Sequence, residues 1–129
     1  MAYFTRFLIA LIGLLALLAV AQHWFEVDAL VAERGLQGVG DIGRANIRAD
    51  VGGLFLAISV FNLIAAIRQD RTWLLASLLL TACALLGRFV SVGFDGYSAR
   101  VGSPMLVEAI VIAIYLFAWW SWKKKPEGL

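Results

Sequence analysis

Five ionisable side chains stand within or beside long apolar stretches of the sequence. They are Arg48, Asp50, Arg88, Asp95 and Glu108. A charge in apolar surroundings is costly, so residues of this kind normally have a partner or a task. Arginines and carboxylates in one layer can form structural ion pairs, or they can hold the polar head of a ligand.

The composition indicates the medium that surrounds these charges. Of the 129 residues, 62% are hydrophobic and 16% are charged, and the mean hydropathy is +0.86. Soluble chains are about 45–50% apolar and about 25% charged, so the composition excludes a water-soluble domain and predicts the lipid bilayer as a partner. The formal net charge is +2, but the basic residues form no continuous basic face, so no nucleic-acid partner is expected.

Four apolar runs are long enough to cross a bilayer, which takes about 20 helical residues. They lie at approximately 3–22, 47–67, 72–92 and 104–122. They predict an all-α fold, with residues 1–129 forming a single transmembrane domain built as a four-helix bundle. Ser103-Pro104 predicts the start of the last helix, and amphipathic spacing after Trp24 predicts a short interfacial helix in the first loop.

The distribution of Lys and Arg predicts the orientation of the bundle. Six of them lie near the termini and in the short turn at residues 68–71, against three in the other two loops. The positive-inside rule then places both termini in the cytoplasm. The first run also resembles a signal peptide that ends in Ala19-Val20-Ala21, so cleavage stays open as an alternative.

Helical geometry brings the charges to one depth. At about 1.5 Å per residue, Arg88 lies about 24 Å from the cytoplasmic end of its helix, and Glu108 lies about 6 Å from the opposite surface. Small and polar residues at helical spacing continue these positions as inward-facing stripes. The stripes are Arg48, Gly52, Phe55, Ser59 and Asn62; Ser77, Thr81, Ala84, Arg88 and Ser91; and Glu108, Val111, Tyr115 and Trp119. Glu108 is therefore expected to meet Arg48 or Arg88.

Two interpretations of this layer stay open. In the first, the charges form a structural clasp that fixes the register of the helices. In the second, a pocket opens outward and binds an amphipathic or lipid-like molecule. The head of that molecule would lie on Arg48 and Arg88. Its tail would lie among Phe55, Leu85 and Ile112.

Other kinds of chemistry find little support in the sequence. The candidate metal ligands are His23, Asp50, Asp95 and Glu108. They lack the spacing of metal ligands, so no metal or cofactor is expected, and His23 is interpreted as an interfacial residue outside the bundle. Cys83 has no evident base beside it, which disfavours an enzyme. The run from Gly38 to Gly43 matches G-x-G-x-x-G without a preceding strand, so the glycines from Gly35 onward are interpreted as a flexible connector.

Residues of the charged layer also belong to a longer pattern. It runs Asn46-Ile47-Arg48-Ala49-Asp50-Val51-Gly52-Gly53, then Gly87-Arg88, then Asp95-Gly96, then Glu108 on the last helix. In this pattern the chain resembles domain-of-unknown-function family 4345, small bacterial four-helix membrane proteins. The resemblance implies that Asn46, Arg48, Gly52, Gly53, Gly87, Arg88, Asp95, Gly96 and Glu108 are signature positions, and it implies no activity. Gly52, Gly53 and Gly87 are expected to permit close packing of helices. The resemblance also implies a bacterial inner membrane as the location of the bundle.

Two classes of function follow from the sequence. The first is a non-enzymatic binding protein for an amphipathic molecule. The second is an accessory or structural subunit, whose helices dock on a membrane-protein partner or on further copies of the chain while the charges serve only its own fold.

Overall fold

A computed structural model describes residues 2–34 and 40–122. Its helices are α1 (Ala2–Phe25), α2 (Val27–Arg34), α3 (Gly40–Asn46), α4 (Gly53–Arg68), α5 (Arg71–Asp95) and α6 (Ala99–Ser121), and a π-helical turn (Ile47–Gly52) joins α3 to α4. Four segments are long and apolar enough to cross a membrane, namely α1, Gly40–Arg68, α5 and α6. The predicted all-α four-helix bundle is confirmed.

Spanning helices that are consecutive in the chain pack against each other in the bundle. Helix α1 packs most extensively on α4, α4 contacts α5, α5 contacts α6, and α6 returns to α1. The turn between α4 and α5 consists of Gln69, whose φ is 50°, and Asp70, whose side chain accepts a hydrogen bond from the Thr72 backbone N–H at 2.9 Å. Asp70 therefore caps α5, and the predicted tight turn is confirmed.

The bundle exposes large apolar side chains on its outer faces and buries several small and polar ones, which is unusual for a soluble protein. Large apolar side chains are exposed along the outer faces, among them Leu14, Leu18, Leu79, Leu86, Leu106 and Leu116. Many of the buried positions are small or polar, among them Ala65, Ala66, Ala118, Ser59, Asn62 and Ser77. Small interior residues let membrane helices approach closely, and an apolar surface suits contact with lipid.

The boundaries of two helices differ from the prediction. Helix α6 begins at Ala99 rather than near Pro104, because Ser98 supplies an earlier cap by accepting from the Val101 N–H at 3.4 Å. Pro104 consequently lies inside α6. The second span begins at Gly40 rather than at residue 47, so the end of the predicted connector is helical. Gly35 and Gly38 lie outside the described residues.

One end of the bundle is closed by arginines, and we call it the arginine-capped end. Arg6 Nε donates to the Ala66 carbonyl oxygen at 2.9 Å, at the end of α4. Arg71 donates to the Trp122 carbonyl oxygen just after α6, and its guanidinium lies 5.7 Å from the centre of the Trp119 ring. A cation beside a helix C-terminus also stabilises the helix dipole, so these contacts fix where α4 and α6 end.

Packing is continuous just inside the arginine-capped end. Trp122 is buried, and its indole Nε1 donates to Thr5 Oγ1 at 2.9 Å. This hydrogen bond ties the end of α6 to the start of α1. Ile9 and Leu74 are fully buried in the same apolar cluster.

Candidate functional site

The opposite half of the bundle contains a partly open cavity of about 480 Å³, and we call this half the cavity end. Walls come from all four spanning segments and are mostly apolar, including Leu15, Leu54, Phe55, Ile58, Val107 and Val111. A volume of this size lies within the range of about 300–1,000 Å³ that is typical of small-molecule sites.

Among the described residues, five with polar side chains interrupt the apolar wall of the cavity. They are His23, Thr81, Arg88, Glu108 and Tyr115. Thr81 and Arg88 are seven residues apart on α5, as are Glu108 and Tyr115 on α6. Two helical turns correspond to about 10 Å, so the cavity has one charged level and one level of hydroxyl groups.

The charged level is an ion pair between α5 and α6. Arg88 Nε lies 2.8 Å from Glu108 Oε1 and 3.0 Å from Oε2. The Glu108 side chain is 16% exposed, whereas that of Arg88 is 38% exposed. Of the two alternative partners that the sequence predicts for Glu108, the structure thus shows Arg88. Because Glu108 engages Nε alone, the terminal nitrogens of Arg88 make no hydrogen bond within residues 2–30 and 40–122.

Arg48 does not belong to this pair, which corrects the alternative prediction. Its Nε donates to the Trp24 carbonyl oxygen at 3.0 Å, and the Trp24 indole donates to the Arg48 carbonyl oxygen at 3.1 Å. Arg48 therefore anchors the π-helical turn to the end of α1 and does not line the cavity. The wider π turn changes the rotation of this segment relative to α4, and regular helical spacing does not anticipate that change.

Other polar residues of the predicted layer also lie apart from the ion pair. Asn46, Asp50 and Asp95 are exposed, and none of them lines the cavity. Phe55 contributes to the cavity wall as predicted, but Leu85 and Ile112 do not. Of the charged layer that the sequence predicts, only Arg88 and Glu108 therefore meet in the cavity wall.

Only one of the three glycines predicted to serve helix packing is tightly packed. A Cβ added to Gly52 would lie 2.6 Å from the Trp24 indole nitrogen, so this position needs glycine for the close approach of Trp24. A Cβ added to Gly53 or Gly87 would meet nothing within 4 Å among the described residues, so the packing prediction is wrong for both.

His23 is the residue that the sequence interpretation missed. It is fully buried rather than interfacial, and its ring centre lies 5.2 Å from that of Phe55. Nδ1 lies 2.6 Å from the Ala19 carbonyl oxygen, while Nε2 is buried without a hydrogen-bond partner among the described residues. A signal was present, because His23 continues the helical spacing of the buried α1 residues, which are Thr5, Ile9, Gly13, Ala16 and Val20.

The hydroxyl level of the cavity lies beside a buried polar layer. Asn62 Nδ2 donates to the Tyr115 hydroxyl at 2.8 Å, and Thr81 Oγ1 donates to the Ser77 carbonyl oxygen at 2.9 Å. Asn62 Oδ1 and the Ser59 hydroxyl are buried without hydrogen-bond partners in the described part of the chain. The inward stripes therefore place Asn62, Ser77 and Thr81 inside the bundle as predicted.

Neither comparison with known proteins nor a search for metal ligands assigns a function to this site. Comparison of the chain with protein-family models, curated protein sequences and solved structures finds no match. Within residues 2–30 and 40–122, no group of three His, Cys, Asp or Glu side chains is placed to hold a metal ion. The site is thus an apolar chamber with one balanced ion pair, one unpartnered imidazole nitrogen and a level of hydroxyl groups.

Proposed function

We propose that this small membrane protein binds an amphipathic or lipid-like molecule in the cavity, without catalysing a reaction, and that the head group of the ligand is uncharged. The observation that carries the proposal is the apolar cavity of about 480 Å³, in whose wall Arg88 is paired with Glu108. Apolar walls with a few convergent polar groups are characteristic of small-molecule sites.

The charge of the preferred head group follows from the ion pair. Arg48 lies outside the cavity, and the charge of Arg88 is balanced by Glu108. An anionic head would compete with Glu108 for Arg88, and a cationic head would compete with Arg88 for Glu108. Breaking a half-buried pair leaves one charge uncompensated, which is costly in a bilayer. A neutral head can instead accept hydrogen bonds from the terminal nitrogens of Arg88 while the pair stays intact.

The proposal is tested with three probes that share one tail and differ in head charge. Purified protein in lipid nanodiscs is incubated with decanol, decanoate or decyltrimethylammonium at equal mole fractions in the bilayer, and occupancy is measured by native mass spectrometry. Decanol is expected to reach the highest occupancy. Equal occupancy by the three probes, or preference for decanoate, would contradict a neutral head.

A pair of adjacent substitutions shows whether the probe occupies the cavity. Ala84→Phe fills part of the cavity, because Ala84 lines its wall. Cys83→Phe adds the same ring at an exposed position that does not line the cavity. Decanol is expected to be lost from the Ala84→Phe protein and retained by the Cys83→Phe protein. Retention by both variants would show that the alcohol binds elsewhere on the apolar surface.

The ion pair itself favours a second candidate, an accessory subunit of a larger membrane complex. Arg88 and Glu108 satisfy each other, so they can serve as a clasp between α5 and α6 in the absence of any ligand. In that case the wild-type protein would bind none of the three probes. Gentle extraction would then recover it with a membrane-protein partner, or with further copies of itself, in fixed stoichiometry.

The location that we propose is a bacterial inner membrane, with the arginine-capped end in the cytoplasm. Support comes from Arg6, Arg68 and Arg71 at that end and from the positive-inside rule. We include in this proposal the kinship with family 4345 that the signature residues suggest. Reporter fusions after Arg71 and after Lys125 are expected to report cytoplasm, and a periplasmic signal at Arg71 would overturn the orientation.

A further inference from the structure

We infer that His23 selects the ligand of the cavity by accepting a hydrogen bond from its head group. The ligand class then narrows to neutral amphiphiles whose head carries an O–H or N–H donor. This inference rests on the proposed function, since it requires a ligand in the cavity. It rests structurally on the unpartnered nitrogen of a fully buried side chain in the cavity wall.

The position of the imidazole proton follows from the contact with Ala19. Nδ1 lies 2.6 Å from the Ala19 carbonyl oxygen, and a carbonyl can only accept, so Nδ1 carries the proton. No described residue lies within hydrogen-bond distance of Nε2. In the imidazole tautomer with its proton on Nδ1, Nε2 presents a lone pair.

Two contacts hold the His23 ring in place within the cavity wall. The hydrogen bond to Ala19 fixes one edge of the ring, and the Phe55 ring packs beside it at a centre-to-centre distance of 5.2 Å. A buried acceptor without a donor costs free energy, which a donor arriving with the ligand recovers. Phe55 also lines the cavity, so the tail and the donor of one molecule can contact both aromatic rings.

Two probes that differ in one donor test this selection. Decanol and decyl methyl ether share a tail and an acceptor oxygen, but only the alcohol can donate to His23 Nε2. One net hydrogen bond corresponds to about a tenfold difference in affinity. Decanol is therefore expected to bind about tenfold more tightly than the ether when both are compared at equal mole fractions in the bilayer.

Nitrogen NMR observes the acceptor directly and needs no variant. His23 is the chain's single histidine, so protein with ¹⁵N-labelled histidine and no histidine tag gives signals from one ring. The signal of unprotonated Nε2 is expected to move upfield when decanol is added, because the nitrogen then accepts a hydrogen bond. The ether is expected to leave that signal in place.

Variants assign the discrimination to His23. His23→Phe keeps an aromatic ring beside Phe55 but removes both nitrogens, so it is expected to bind decanol and the ether equally. The control is Ser59→Ala, which removes another buried unpartnered group that does not line the cavity, and it is expected to keep the tenfold preference.

Each result separates the selection by His23 from the proposed function. Equal binding of alcohol and ether to the wild type, with an unchanged Nε2 signal, would overturn the role of His23 while leaving a ligand cavity. Failure of both probes to bind would overturn the proposed function itself, and the role of His23 with it. A tenfold preference that survives in His23→Phe would assign the discrimination to another group.

Discussion

The two ends of the bundle differ in what their arginine side chains contact. At the arginine-capped end, Arg6 and Arg71 donate to backbone carbonyl oxygens at the ends of α4 and α6. At the cavity end, Arg88 lies well inside α5 and donates through one nitrogen to a carboxylate. The first arrangement terminates helices, whereas the second leaves donors beside a cavity.

The two ends also differ in packing: the arginine-capped end is filled by side chains, whereas the other end contains the cavity. Ile9, Leu74 and Ala118 fill the space between the helices near the arginine-capped end and are fully buried. Near the cavity end, the walls separate around about 480 Å³, and α5 and α6 are held together by the ion pair. We expect most of the free energy of unfolding to come from the arginine-capped end, and any ligand affinity to come from the cavity end.

The largest contrast is expected from truncating one apolar residue at each end. Leu74→Ala opens a space in the packed end and is expected to lower the free energy of unfolding by about 3 kcal/mol. Ile58 is only partly buried in the cavity wall, so Ile58→Ala is expected to cost less, about 2 kcal/mol. Unfolding by sodium dodecyl sulfate in mixed micelles measures both. Equal losses would show that the two ends are packed alike.

The ion pair is expected to have an intermediate effect. Glu108→Gln leaves Arg88 uncompensated and is expected to cost about 2 kcal/mol, less than a fully buried pair because Arg88 is 38% exposed. Adding Arg88→Gln to this variant removes the unpaired charge and is expected to recover at least half of the loss. A double-mutant cycle on the same unfolding assay measures the coupling, and strictly additive losses would argue against a clasp.

The smallest expected effect comes from the arginine cap. Arg71→Gln removes the hydrogen bond to the Trp122 carbonyl and the contact with the Trp119 ring, for an expected loss of about 1 kcal/mol. Arg68→Gln is the matched control, because Arg68 is exposed and has no polar partner in the described part of the chain. The control is expected to change stability by less than about 0.5 kcal/mol. Similar losses in both variants would attribute the effect to net charge rather than to capping.

Regular helical spacing was sufficient to predict most of the fold and part of the site. The apolar runs predicted the spanning helices, and the inward stripes brought Arg88 to Glu108 and placed Asn62, Ser77 and Thr81 inside. These positions follow the regular α-helical period, which the sequence displays directly.

What the sequence could not predict depends on departures from that period and on contacts between helices. Arg48 lies in the π-helical turn and contacts Trp24, and the residue types in this segment do not predict a π-helical turn. His23 follows the apolar run at 3–22, so hydropathy predicts it outside the bundle, whereas the spacing of the buried α1 residues places it inside. The cavity itself arises from the separation of helix axes, which single-helix patterns do not specify.

Photolabelling in a bilayer distinguishes the two ends most directly. A long-chain alcohol carrying a diazirine is added to the protein in lipid vesicles, and labelled residues are mapped by mass spectrometry with and without excess decanol. Labelling that decanol competes away is expected at Val111 and Ile58 in the cavity wall, whereas lipid-facing Leu79 is expected to label without competition and Leu74 to remain unlabelled. Competed labelling at Leu74, or no competition at any cavity residue, would contradict the division between a packed end and a ligand-binding end.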